Sequence, residues 1–194
     1  MARSVLQWPL MLPSMILSAM VAVAVVAGSV RPARADAGFS LGVEGGVMEF
    51  DARASLGDAG VAWGLRGGIG LFGPTRLEAR YLSSGHDLAG GHSANVREGD
   101  AQLRLSLLPG GTTPYLFGGI GLRVSDTNQP GPVTSDSTLM VPLGAGLDLP
   151  LTRQLFLAPE FTWHHRLGTP DPQVPTGMAG GDTWNVSLVL RVDI

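Results

Sequence analysis

The sequence predicts an all-β fold, an eight-stranded antiparallel up-and-down transmembrane β-barrel. Three observations carry this prediction. Apolar and polar residues alternate with period two through eight runs of the chain, and no segment carries a helical stripe. The connections between the runs are alternately short and long. One face of the runs is continuously apolar, while the other mixes charges with glycine.

The ends bound the domain. Arg3 and the amino terminus precede an uncharged apolar run, Met15 to Gly28, followed by Ala33-Arg34-Ala35 and Ala35-Asp36-Ala37. That order of parts is a cleaved secretory signal peptide spanning 1–37, cut after Ala35 or Ala37. The run falls short of the roughly 20 apolar residues that a spanning helix needs. Residues 38–194 are then one exported domain. With no cysteine and no lysine anywhere in the sequence, a net charge of −3 for the whole chain and no basic run, the composition excludes disulfides and thiolate metal sites and disfavours nucleic acid as a partner. No cofactor is expected.

The eight runs are Gly38–Phe50, Val61–Leu71, Thr75–Ser83, Glu98–Leu108, Thr113–Val124, Thr138–Leu149, Gln154–His165 and Thr183–Ile194. Each is long enough for a tilted strand to cross a bilayer. The short connections are turn-rich: Phe72-Gly73-Pro74, Pro109-Gly110-Gly111-Thr112 and Pro150-Leu151-Thr152-Arg153. The long ones, 51–60, 84–97, 125–137 and 166–182, are polar and rich in Gly, Pro, Ser or Asp. Tight periplasmic turns and longer extracellular loops are the asymmetry of outer-membrane barrels, and they place both termini in the periplasm.

Parity decides which face meets lipid. In the second run Val61, Trp63, Leu65, Ile69 and Leu71 oppose Ala62, Gly64, Arg66, Gly68 and Gly70. In the third, Leu77, Ala79 and Tyr81 oppose Arg76, Glu78 and Arg80. In the last, Trp184, Val186, Leu188, Leu190, Val192 and Ile194 oppose Thr183, Asn185, Ser187, Arg191 and Asp193. A soluble eight-stranded barrel with an apolar interior would carry the same alternation. Glycine decides against it, because a solvent-facing strand is weakened by glycine whereas a narrow lumen needs small residues beside Arg and Glu. Trp63, Tyr81, Trp163 and Trp184 fall on the apolar face near the long-loop end, as an interfacial aromatic girdle requires.

Six charges then meet at mid-lumen: Glu44, Glu78 and Glu160 with Arg66, Arg80 and Arg104. Unpaired charges in a narrow lumen are costly, so ion-paired networks are expected. Such a network plugs the barrel and fixes register, or else forms the gate of a narrow pore. His86 and His92 fall in the second long loop, and no three-ligand metal site is indicated. Gly68-x-Gly70-x-x-Gly73 matches a dinucleotide-binding pattern, but GGIGL recurs at 118–122 before a loop with two prolines where no helix follows. The motif is a strand pattern.

TPYLFGGIGLRV (113–124) and LGAGLDLPLTRQLFLAPEFTWHH (143–165) resemble recurring strands of the small OmpA/OmpX-type outer-membrane β-barrel domains. The resemblance covers the whole of 38–194. It implies a bacterial outer-membrane protein, non-enzymatic and monomeric, contacting outer-membrane lipid and the barrel-insertion machinery. Its role would be envelope integrity or surface interaction through the loops, with an unidentified partner. Two departures stand out: the last strand ends on Ile194 rather than an aromatic residue, and a peptidoglycan-binding domain, with the cell-wall tethering it would bring, is not expected. The alternatives are a narrow pore and a lipid-modifying hydrolase acting on lipid A or phospholipid. The hydrolase would need Ser83 or Ser84 to work with His164 or His165, from runs on opposite sides of an eight-stranded ring.

Overall fold

A computed structural model describes residues 38–50, 59–88, 92–108, 111–128, 135–168 and 181–194. The expected signal peptide lies outside the described residues, as do 51–58, 89–91, 129–134 and 169–180 of the expected loops. Eight strands follow in order: β1 (Phe39–Phe50), β2 (Gly60–Gly70), β3 (Thr75–Leu88), β4 (His92–Ser106), β5 (Thr113–Thr127), β6 (Ser135–Pro150), β7 (Leu155–Leu167) and β8 (Thr183–Asp193). Each pairs antiparallel with its neighbour in sequence. β1 closes onto β8, from Ser40↔Asp193 to Phe50↔Thr183, so the predicted closed barrel is the fold observed.

Two expected loops need correction. Residues 84–97 are mostly strand: β3 and β4 stay paired from Thr75↔Leu105 to Leu88↔His92. Residues 125–127 and 135–137 likewise extend the β5–β6 ladder. The cause is visible in the side chains. Leu82, Ser84 and His86 on β3, and Ala94, Val96 and Glu98 on β4, continue the inward alternation and are buried. A polar composition hid this continuation. His86, expected in an exposed loop, is therefore an inward strand residue that is 2% exposed.

The outward face is mainly apolar, with polar residues such as Asn95, Arg97 and His165 toward the loop end. Leu41, Val61, Trp63, Leu103, Ile120, Phe161 and Leu188 all present large side chains outward. Such a surface would aggregate in water and is what lipid solvates. Trp63 packs edge-on against Tyr81 at 5.9 Å, and Trp163 is the register partner of Trp184.

The inward face is where glycine becomes necessary. Tyr115 is the partner of Gly146 and Phe117 of Gly144 across β5–β6, and each ring lies over its glycine, where any Cβ would run into it. This cover compensates for the weak glycine positions of a strand. Short turns close the opposite end. Gly73 adopts φ 52° in the β2–β3 turn, where Thr75 N–H donates to the Phe72 carbonyl at 3.1 Å.

Candidate functional site

The inward-facing charges form the one extended polar constellation among the described residues. Glu44, Arg66, Glu78, Arg80, Arg104 and Glu160 are each only 3–5% exposed. Arg66 on β2 donates through both terminal nitrogens to Glu160 on β7, at 2.8 and 2.9 Å, and also bonds Glu44 on β1. Glu78 on β3 lies 3.7 Å from Arg66 and 3.4 Å from Arg104 of β4. The planar guanidinium fork suits this task, since it fills two carboxylate sites at once.

Around these six lie ionic residues that parity also sends inward but that the sequence reading did not count in the network. Toward the short turns, Asp148 of β6 takes Arg104 on one side and both terminal nitrogens of Arg191 on the other, at 2.9 and 3.2 Å. Asp193 bridges Arg191 and the two terminal nitrogens of Arg76. Toward the other end, Arg80 donates to Asp100 at 3.0 Å and meets His164 Nε2 at 2.8 Å. Glu98 accepts from Arg123 at 2.7 Å and lies 3.4 Å from His164. Arg123 also bonds Thr183. Every strand contributes to this chain of contacts.

Neutral groups complete it. The Tyr115 hydroxyl donates to Glu160 at 2.8 Å, and the Arg104 guanidinium sits 3.5 Å from the centre of the Tyr115 ring. Gln102 donates to Asp100 at 2.6 Å. Above the arginines, Met48, Ala62, Leu82 and Val96 form an apolar cluster inside β1–β4, with Phe50 against it. The lumen is thus ionic through much of its depth, with one apolar cluster near the loop end and a second formed by Tyr115, Phe117, Ala158 and Val189 on β5, β7 and β8.

The residues considered for hydrolysis each have other partners. Ser84 meets His86, two positions along its own strand, at 2.9 Å and donates to Met48 Sδ at 3.3 Å. His164 is engaged by Arg80 and Thr183, while His165 faces outward against Asp182 at 3.1 Å. No group of three or more His, Cys, Asp or Glu suited to a metal occurs among the described residues.

A closed barrel with a lipid-compatible exterior and an ion-paired interior defines an integral membrane barrel. The family model for the outer membrane protein beta-barrel domain matches residues 19–191, and the chain belongs to that family, whose place is the bacterial outer membrane. Among solved structures, Neisserial surface protein A is similar at a TM-score of 0.62 and 10% identity, covering 82% of this chain and 98% of that one. The N-terminal β-barrel domain of Pseudomonas aeruginosa OprF follows at 0.55 and 17%, covering 80% and 97%. Ail, the attachment invasion locus protein of Yersinia pestis, stands at 0.52 and 9%, covering 81% and 97%. At such identities the likeness is one of fold. No curated protein matches the sequence.

Proposed function

We propose that this protein is a non-enzymatic, non-conducting barrel that supports the outer membrane and presents the loops within 51–60, 84–97, 125–137 and 166–182 to a surface partner, with both termini in the periplasm. The observation that carries the reading is the ionic chain itself. Side chains from all eight strands meet inside the barrel and are spent on one another, from Asp193 to Thr183. An eight-stranded lumen holds little more than its own side chains, so a paired network acts as a plug that fixes register. The outer face contacts membrane lipid, the assembly machinery inserts the chain, and the barrel works as a monomer.

Single-channel recording in planar bilayers tests this directly. The unmodified barrel should give no discrete conductance steps. Steps that change size in Arg66→Ala would instead establish a pore gated by the same network.

A hydrolase is the second reading, favoured by the Ser84–His86 contact at 2.9 Å. Both residues face the interior, at 3% and 2% exposure, away from the lipid such an enzyme must reach. Incubation of the folded protein with lipid A or phospholipid should release no fatty acid. Release that disappears in Ser84→Ala or in His164→Ala/His165→Ala would reverse the assignment.

A further inference from the structure

The ladders on both sides of β6 are broken. Its register with β5 runs from Thr113↔Asp148 to Gly118↔Leu143 and resumes only at Gly121↔Met140. Val141 and Pro142 therefore stand unpaired opposite Gly119 and Ile120. The register with β7 runs from Leu139↔Leu167 to Gly146↔Glu160 and resumes at Leu149↔Leu157. Leu147 and Asp148 stand unpaired opposite Ala158 and Pro159. The other six seams of the barrel run without a break.

Proline accounts for both breaks, since it has no N–H to give to a ladder. The nitrogen of Pro142 faces β5, because the ladder on its other side continues through Pro142↔His164. Pro159 faces β6 by the same reasoning, because β7 and β8 stay paired through Pro159↔Leu188. Two missing donors are thus aimed at one strand, one at each end of the stretch 141–147. Hydrocarbon offers no water to replace them.

The same stretch has no ionic tie to the lumen. Residues 141–147 carry no charge, and their inward positions Gly144 and Gly146 are covered by the rings of Phe117 and Tyr115. Past one end, Asp148 ties β6 to Arg104 and Arg191; past the other, Asp136 ties it to Arg166. Behind the stretch lies the cluster of Tyr115, Phe117, Ala158 and Val189. Opening the wall here brings mostly apolar side chains against acyl chains. Opening it at β1–β2 would bring the Glu44–Arg66 pair there instead, at a far higher cost. We propose that 141–147 of β6 is a lateral panel of the barrel wall, which disengages from β5 and β7 toward the lipid while its ends and the other six seams stay closed.

Amide hydrogen exchange of the full barrel in lipid nanodiscs, read residue by residue by NMR, tests this. Residues 143–146 are paired on both sides, so their amides exchange fast only when the strand disengages. They should exchange about tenfold faster than those of 43–46 on β1, which lie between two unbroken seams. Pro142→Val/Pro159→Val restores both donors and should slow 143–146 to the β1 rate. If the double variant fails to fold, Pro159→Val alone, an outward position, should still slow them several-fold. Equal protection of 143–146 and 43–46 in the unmodified protein would overturn the proposal. So would fast exchange that persists in a folded valine variant, since the glycines rather than the broken seams would then be its cause.

Discussion

At the scale of single residues, Arg66 has the most demanding position. It bonds Glu160 through two nitrogens, bonds Glu44, and lies 3.7 Å from Glu78. Removing one partner of a buried ionic group strands the others, so Arg66→Leu should destabilise the barrel by about 3–5 kcal/mol. Arg66→Lys keeps the charge but loses the fork and should fall between the two. Urea unfolding in lipid vesicles, followed by tryptophan fluorescence, measures both. Gly46 is constrained differently. Any Cβ there would run into the Val186 carbonyl oxygen and the Ser187 backbone across the β1–β8 seam. Gly46→Ala should therefore cost about 1–3 kcal/mol by overpacking in the same assay. Much of the lumen was legible because parity alone sends Arg66, Glu78, Arg80 and Glu160 inward. Which carboxylate each arginine takes was not legible. Arg66 and Glu160 lie 94 positions apart, and only the curvature of the closed sheet brings them together.

At the scale of elements, β3 and β4 show where sequence reasoning stopped short. The segment Ser83 to Arg97 is rich in Ser, Gly and His, with Asp and Asn among them, a composition shared with loops. Its strand character comes from cross-strand pairing, which composition does not report. Placing the start of β4 at Glu98 also hid the role of Glu98, which lies within the strand and pairs with Arg123. If the ladder runs to Leu88↔His92, backbone amides of 84–87 and 94–97 should resist hydrogen exchange much as those of the membrane-level strands do. Exchange as fast as in an open loop would restore the shorter strands. The alternation of β4 makes a second prediction. Leu103 is 51% exposed on the outer face, between inward Gln102 and Arg104. Leu103→Arg should cost about 2–4 kcal/mol in vesicles, as a charge placed near the middle of the lipid face does.

At the scale of the whole molecule, closure ties these terms together. Period-two alternation could report eight strands and their faces, but not whether the ring closes, because closure lies in the pairing of β1 with β8, far apart in the chain. That seam runs from Ser40↔Asp193 to Phe50↔Thr183, and Ile194 N–H adds a bond to the Phe39 carbonyl at 2.7 Å. An open sheet would leave two edges unpaired in hydrocarbon, which lipid does not tolerate. The barrel should accordingly stay folded in SDS until heated, and unboiled protein should migrate apart from boiled protein on a gel. Because the ion pairs are buried, the shift should survive high salt, which screens exposed pairs such as Arg97–Asp126 but not enclosed ones. Proline at Val47 tests closure itself. Val47 sits inside the seam opposite Val186, and also opposite Val61 of β2, so proline removes a ladder donor in mid-sheet whichever neighbour receives it. Val47→Pro should abolish the heat-dependent shift. A Val47→Ala control keeps every backbone bond and should retain the shift. Retention of the shift in the proline variant would mean that the seam is not what holds the barrel shut.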